Sequence, residues 1–370
     1  MKHLQVHTRN QSYPVLVGTD LSNNLNSLLS KCVSTGRFFV FIDANVFALH
    51  GKRITASIDV PHKRRLEFVV PSGETAKTEP VLFGLYDFLL DNRVSRDDFI
   101  LACGGGVTSD LVGYTAATIL RGVRWGVVPT TILSMADASI GGKTGINHTR
   151  GKNLIGTFWQ PSFVYSDVNF LSTLPKRQMI AGLGEISKSA GLSGSEAVQS
   201  LEQYLDSNEL YDLHKLTGLI RAAATHKAAI VSRDERDAGA RLVLNFGHTF
   251  AHGIEQALGY GRLLHGEAVI VGIDAALSLG EKLGYRSSGL LNYRSVITQL
   301  MCHLPKRKMS VEKIIEAMQF DKKRSLSSLR FVLLERVGRP VIRERVDRAT
   351  IRASLEVAIE RYQSLGGSNV

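Results

Sequence analysis

DDFILACGGG, residues Asp97 to Gly106, is a short apolar run that stops abruptly at three glycines. The continuous run Phe99–Cys103 predicts a strand buried on both faces. SDLVGYTAATIL (Ser109–Leu120) follows with helical spacing. A strand, a glycine turn and a helix N-terminus together bring free backbone N–H groups and a positive dipole end to one place. Glycines there let the backbone approach a pyrophosphate closely. The triplet is not the G-x-G-x-x-G fingerprint, and taken alone it would be a tight turn. Its place at the end of a buried strand makes Gly105, Gly106 and Val107 candidates for dinucleotide binding.

Working outward, RFFVFID (Arg37–Asp43), RRLEFVV (Arg64–Val70), RWGVVPT (Arg124–Thr130) and SFVYSDV (Ser162–Val168) read as further strands. KTEPVLFGLYDFLLDN (Lys77–Asn92) is helical between two of them. Strands alternating with helices predict a parallel sheet covered on both faces. Past Leu171 the pattern turns helical, from LSTLPKRQMIAGLGEISKSAGL through GEAVIVGIDAALSLGEKLG. Only LRFVLLERVGRPVIRERV (Leu329–Val346) reads as a hairpin, turning near Gly338. The expected architecture is an α/β fold: a Rossmann-like NAD-binding domain over 1–171 and a mostly α-helical metal- and substrate-binding domain over 172–370. Ligands are expected between the two, outside the carboxyl ends of the strands.

Composition narrows the function. The chain has 370 residues, 44% hydrophobic and 21% charged, enough for a large core without staples. Three scattered cysteines, Cys32, Cys103 and Cys302, make no disulfide framework or metal pair and favour a reducing compartment. No apolar leader stands at MKHLQVHTRNQSYPV. AVIVGIDAALSLG, interrupted by Asp274, is too short to span a bilayer. A cytoplasmic protein without membrane attachment is expected. The net charge of +11 is dispersed and carries no aromatic interleaving, so it suits a small anionic substrate better than nucleic acid.

Several loops add polar groups. SGETAKT (Ser72–Thr78) offers Glu74 and Lys77 to ribose and phosphate, and VPTT ends a strand with Thr130 and Thr131. Asp43 ends another strand, where it is a ribose partner or a helix cap. Arg121, Asp137, Lys143, Lys152 and Asn153 lie among small residues, which suggests a cleft floor. Glu185 and Lys188 sit three apart on a helix of small apolar residues, and a buried glutamate needs a cation or a metal.

NFGHTFAHGIEQALGYGRLLHGE, Asn245 to Glu267, holds three histidines. Under one continuous helix, Arg241, Asn245, His248 and His252 would form a single stripe, a poor core and a good anion-and-metal site. His265 supplies a third nitrogen and Glu185 an oxygen, giving a Glu-His-His site with positions open for substrate.

The ordered set GGG-x-x-x-D, RG, VPTT, D-x-S-x-GGK-T, GKN-x-I-G, F-x-QP, TLP, GL-x-E-x-x-K, LNFGHTF-x-H, HGEAV and DKK resembles the 3-dehydroquinate synthases, from about Glu74 to Lys323. The resemblance implies an NAD- and divalent-metal-dependent homodimer, with zinc or cobalt held by Glu185, His248 and His265. It implies NAD against Asp43, Glu74, Lys77, Gly105, Gly106, Asp110, Thr130, Thr131, Lys152 and Thr173. Substrate residues carried over are Asp137, Lys143, Asn153, Lys188, Lys227, Arg241, Asn245 and His252, with Lys322 favoured over Lys323. Arg121 matches a residue that reaches the neighbouring subunit's phosphate site. The implied reaction turns 3-deoxy-D-arabino-heptulosonate 7-phosphate, a sugar phosphate, into 3-dehydroquinate and phosphate. It runs by transient oxidation, elimination, re-reduction and aldol closure, on the shikimate route to the aromatic amino acids. Ser109, Gly184, Ser187, Ser189 and Gln178 depart from the family's usual residues. They leave open a sibling cyclase, such as an aminodehydroquinate or 2-epi-5-epi-valiolone synthase. A metal-dependent NAD alcohol dehydrogenase is the second alternative.

Overall fold

A computed structural model describes residues 4–19, 22–32, 36–322 and 329–365. The chain runs β1 (Leu4–His7), β2 (Ser12–Gly18), α1 (Ser22–Cys32), β3 (Phe38–Asp43), α2 (Ala44–Ala56), β4 (Arg65–Val70) and α3 (Glu79–Asp91). It continues with β5 (Phe99–Gly104), α4 (Gly106–Thr118), β6 (Arg124–Pro129), β7 (Lys143–His148), β8 (Gly151–Phe158) and β9 (Val164–Asp167). Three helices follow, α5 (Lys176–Ser193), α6 (Ser195–Asp206) and α7 (Leu213–Arg233). The rest is α8 (His248–Leu258), α9 (His265–Lys282), α10 (Ser288–Met301), α11 (Val311–Lys322), β10 (Arg330–Arg336), β11 (Arg339–Glu344) and α12 (Arg348–Leu365).

Two compact units result: Met1–Leu174 with Leu213–Arg236, and Pro175–Asp212 with Asp237–Val370. The first unit runs to Leu174, where a boundary at 171/172 was expected, and takes in Leu213–Arg236 as well. α7 joins the first unit because its apolar face (Leu216, Ile220, Ala224 and Val231) packs beside β1 and β2. Arg221 Nη2 donates to Val17 O at 3.0 Å and His7 N to Ser232 Oγ at 2.9 Å, which fixes the helix on those strands.

In the first unit seven strands form one sheet in the order β1-β2-β9-β6-β5-β3-β4. The β1–β2 pair is antiparallel and the other neighbours are parallel. Every residue of β3 and β5 is buried, as expected of central parallel strands covered on both sides. Alternate residues Phe39, Phe41, Ile100, Ala102, Trp125 and Val127 line one face. Against them pack Leu82, Leu85 and Leu89 of α3 and Leu111, Val112 and Ala116 of α4. Each fully buried large side chain stabilises this layer by about 1.5–3 kcal/mol. β7 and β8 pair as a separate antiparallel ribbon, from Lys143↔Phe158 to His148↔Gly151. The cleft floor read from 134–153 is therefore partly a hairpin.

The second unit is helical apart from the β10–β11 hairpin, which turns at Val337 and Gly338. Its centre is α9, buried on every side from Gly266 to Gly280. That explains the apolar run with an aspartate inside it. Asp274 is fully buried and ion-paired with Arg361 of α12 and Arg294 of α10. Among the described residues no helix is long and apolar enough to cross a membrane.

Candidate functional site

Glu185, His248 and His265 come together in the second unit, their donor atoms all within 4.8 Å of one another. Glu185 Oε1 lies 3.3 Å from His265 Nε2 and 3.6 Å from His248 Nε2. Ligands about 2.0–2.2 Å from a tetrahedral ion stand roughly 3.4 Å apart, so the spacing fits a divalent metal. The carboxylate's other oxygen, Oε2, pairs with Lys188 Nζ at 2.6 Å.

Three helices supply the ligands, and glycines let them meet. A Cβ on Gly266 would stand 1.7 Å from Ala181 O, and one on Gly184 would stand 2.3 Å from Gly266 O. The backbones of α5 and α9 therefore touch beside Glu185 and His265. Gly247 (φ +78°) does the same for α8, since a Cβ there would meet Ile273 N at 2.9 Å. The first turn of α9 is fixed by Glu267, whose carboxylate accepts from Leu264 N at 2.7 Å. Arg177 clamps that carboxylate with Nε at 2.7 Å and Nη2 at 2.8 Å.

The electrostatics suit a metal. Burial works against ionising Glu185, but Lys188, His248 and His265 outweigh it and hold the carboxyl well below the usual carboxylate range. Burial, then Lys188, pushes His248 well below the ordinary histidine value, leaving a neutral imidazole. Its Nδ1 donates to Phe246 O at 3.2 Å, so Nε2 keeps its lone pair. Burial also opposes charge on His265, yet bonds to Glu185 and Glu255 raise it to about 9. Metal binding there must displace a proton.

The first unit presents the glycine turn as expected. Gly105 caps α4, and a Cβ on it would reach Thr131 Cγ2 at 3.2 Å. Gly106 and Val107 open the helix, and Thr130 N donates to Gly104 O at 2.9 Å. Thr130 Oγ1 is buried and has no hydrogen-bond partner among the described residues, which fits a hydroxyl meant for a ligand. Asp43 is the cap of α2, its Oδ1 accepting from Asn45 N, Val46 N and Ser72 Oγ. Thr131 Oγ1 accepts from Ser134 N at 3.2 Å, and Thr173 Oγ1 is bonded to His50 Nε2 at 2.7 Å. Lys77 is buried, donating to Asp110 Oδ2 at 2.6 Å and to Asn153 Oδ1. Burial raises Asp110 above its ordinary value although Lys77 opposes the shift. Glu74 accepts from Asn147 Nδ2 at 2.7 Å, and Lys152 is the second residue of β8.

The expected substrate residues divide between the units. In the first, Lys227 of α7 is ion-paired with Asp137 and donates to the Asp137 carbonyl at 2.6 Å. Asp137 sits in a single π-helical turn, Ser134–Ala138, a conformation frequent at functional sites. Asn153 (φ +55°) and Arg121 (φ +63°) both hold left-handed backbone, and Lys143 and Arg121 are exposed. In the second unit Lys188 is buried beside Glu185, and His252 is exposed one turn past His248. Lys322 ends α11, and its side chain, like Lys323, lies outside the described residues.

One expectation fails. No single helix carries Arg241, Asn245, His248 and His252. Ala240–Asn245 is a 3-10 helix, broken from α8 by the left-handed Gly247. Arg241 is buried and Asn245 exposed. The break is what lets α8 start against the backbone of α9.

Sequence reading missed Glu255, which accepts from His265 Nδ1 at 3.0 Å. Its signal was available: Glu255 stands seven residues after His248, on the same helix face. It also missed Arg177 and Asn147. Asn147 Oδ1 accepts from Asn153 N at 2.9 Å within the ribbon while its Nδ2 ties the ribbon to Glu74, and no pattern in the sequence announces these contacts.

Family models described as "3-dehydroquinate synthase N-terminal" and "3-dehydroquinate synthase C-terminal" match residues 67–181 and 182–324. A 3-dehydroquinate synthase of Neisseria meningitidis is 37% identical over 358 residues, 96% of this chain and 99% of that protein. Among solved structures, 2-epi-5-epi-valiolone synthase from Streptomyces hygroscopicus, with NAD+ and Zn2+ bound, has a TM-score of 0.84 and 28% identity. That match covers 96% of this chain and 98% of the other. A 2-deoxy-scyllo-inosose synthase complexed with carbaglucose-6-phosphate, NAD+ and Co2+ has a TM-score of 0.85 at 23% identity, covering 96% and 99%, and shares the fold. The chain belongs to the 3-dehydroquinate synthase family.

Proposed function

We propose that this chain is an NAD- and metal-dependent lyase that converts 3-deoxy-D-arabino-heptulosonate 7-phosphate into 3-dehydroquinate and inorganic phosphate. The observation that carries the reading is the Glu185–His248–His265 group with Lys188 against its carboxylate. Glu185, His248 and His265 would hold zinc or cobalt, which would supply Lewis-acid polarisation of an alcohol, and NAD would supply the hydride acceptor and donor. The protein's own residues supply the rest. Gly105, Gly106 and the first turn of α4 present N–H groups to a pyrophosphate, and Glu74 and the unpartnered hydroxyl of Thr130 serve the nucleotide. Lys188, Lys227, Arg241 and Lys143 are fixed cations for a carboxylate and a phosphate. Asp137 holds Lys227 in place. Asn153, Asn245 and His252 orient hydroxyl groups by hydrogen bonds.

The same reading makes the enzyme a cytoplasmic homodimer, with the exposed Arg121 serving the partner's phosphate site. Gel filtration showing a monomer, active and insensitive to Arg121→Ala, would remove that part.

The test is to incubate the metal-loaded enzyme with NAD+ and the heptulosonate phosphate while following phosphate and NADH. Phosphate released without net NADH is the expected result. Steady NADH accumulation would identify a dehydrogenase instead. Sedoheptulose 7-phosphate and the amino analogue, run in parallel, separate this activity from the sibling cyclases. Faster turnover of either would reassign the substrate.

A further inference from the structure

We propose that Glu255 is a positioning residue for the metal centre: it fixes the tautomer and ring orientation of His265. The inference rests on the metal reading of Glu185, His248 and His265.

His265 lies between two carboxylates, with Nε2 3.3 Å from Glu185 Oε1 and Nδ1 3.0 Å from Glu255 Oε2. A neutral imidazole has one lone pair and one N–H, and its partners decide which nitrogen carries which. An ionised Glu255 can only accept, so it demands the proton on Nδ1. Once a metal displaces the proton that Nε2 shares with Glu185, the lone pair of Nε2 is left facing the position between Glu185 and His248. Without Glu255 nothing in this pair of contacts prevents the opposite tautomer, in which Nε2–H donates to Glu185 and the ligand position is lost.

Glu255 is built for this task. It is 5% exposed and stands two helical turns after His248 on α8. One helix thus carries a ligand and the group that orients a ligand from another helix. The helix that carries it packs closely against α11, since a Cβ on Gly253 would meet Met318 Cγ at 2.6 Å. The two histidine ligands are unlike in consequence. His248 is oriented by a neutral backbone carbonyl, Phe246 O, whereas His265 is oriented by a carboxylate, which makes its free nitrogen more basic.

A competing role exists in the same geometry. His252, Glu255 and His265 form a second group whose donor atoms lie within 4.8 Å of one another. If Glu255 were itself a ligand there with the first group also filled, His265 would have to offer a lone pair from both nitrogens. A neutral imidazole does not have two, so the positioning role is preferred.

The experiment uses the full chain with NAD+ bound, as wild type, Glu255→Gln and Glu255→Ala. Zn2+ is titrated against a chromophoric chelator, and the visible spectrum of the Co2+ form is recorded. The expected result is one ion per chain in all three. The dissociation constant should weaken about 10–100-fold in Glu255→Ala, with a changed cobalt spectrum. Glu255→Gln, whose amide oxygen still accepts from Nδ1–H, should recover part of that loss. NAD+ affinity should be unchanged in the glutamine variant, which separates loss of positioning from loss of folding. If Glu255→Ala does not fold, the glutamine variant carries the test through its cobalt spectrum and the His265 nitrogen shifts, which must differ from wild type. Zinc affinity within twofold of wild type in Glu255→Ala, or an unchanged cobalt spectrum and nitrogen shifts in Glu255→Gln, would overturn the inference. So would two ions in wild type and one in the alanine variant. Wild type that binds no ion would overturn the metal reading itself.

Discussion

Gly266→Ala tests the claim that touching backbones assemble the metal site. The added Cβ would lie 1.7 Å from Ala181 O, where ordinary contact begins near roughly 3.5 Å. Both are main-chain positions in packed helices, so neither partner can rotate away. α5 and α9 must therefore part by about 1.5 Å or more at their crossing. Overpacking of this kind costs about 1–3 kcal/mol. At about 2–4 °C per kcal/mol, the melting temperature should fall by roughly 2–12 °C. The effect on the metal should be larger. Glu185 and His265 flank this crossing, and a site tolerates only about 0.2 Å of error in ligand distance. Zinc affinity should drop at least tenfold while circular dichroism still reports a folded protein. Gly218→Ala is the control: it lies within α7 with nothing within 4 Å of the added Cβ. It should stabilise by about 0.5–1 kcal/mol and leave metal binding unchanged. Zinc affinity within twofold of wild type and a melting temperature within a degree for Gly266→Ala would refute the argument.

Lys77→Met removes the cation that faces Asp110 and leaves that carboxylate without its 2.6 Å partner. A loss of about 1–3 kcal/mol in denaturant unfolding is expected, together with weaker NAD+ binding by calorimetry; unchanged values in both would dismiss the pairing. Asn153→Ala forfeits the bond from Lys77 and puts an alanine at φ +55°, so about 1–2 kcal/mol should be lost. Asn153→Gly should recover the backbone share, and equal losses for the two variants would show that strain plays no part. Asp98 gives the pH prediction. Burial opposes its ionisation, but the hydrogen bonds from Arg37 prevail and hold its pKa below the ordinary value. Its contribution is therefore present above the unfolded carboxyl's pKa, about 3.9, and lost as pH falls through the lower folded value. The gap in unfolding free energy between wild type and Asp98→Asn should close on acidification below about pH 4, and a gap constant from pH 7 to 3 would contradict this sign.

The fold was legible where one physical rule dominated. Phe38–Asp43 and Phe99–Gly104 are buried on both faces, so an unbroken apolar run is their only solution, and both strands fall where the pattern put them. α9 was legible for the same reason, since a helix enclosed by neighbours must be apolar all round. The β1–β2 hairpin and the β7–β8 ribbon escaped notice. The ribbon is short and largely exposed along β8, so no alternation of burial marks it. The assignment of α7 to the first unit was equally hidden. Periodicity shows that a helix has an apolar face, never which partner will cover it.

The metal group was legible for a different reason: its residue types are expensive to bury without a purpose. Glu185 among Ala181, Gly182 and Leu183 demands compensation, and the structure provides it with Lys188 and two imidazoles. The error over the Arg241–His252 stripe is instructive beside that success. Spacings of four, three and four satisfy a helix, but Gly247 at φ +78° breaks it between Asn245 and His248. Helical continuity would have kept Arg241 and the histidines on one face. A Cβ at position 247 would collide with Ile273 N, so the left-handed glycine serves the packing and the turn together. The spacing alone could not separate these cases, because the break depends on a contact with a helix more than twenty residues further along the chain.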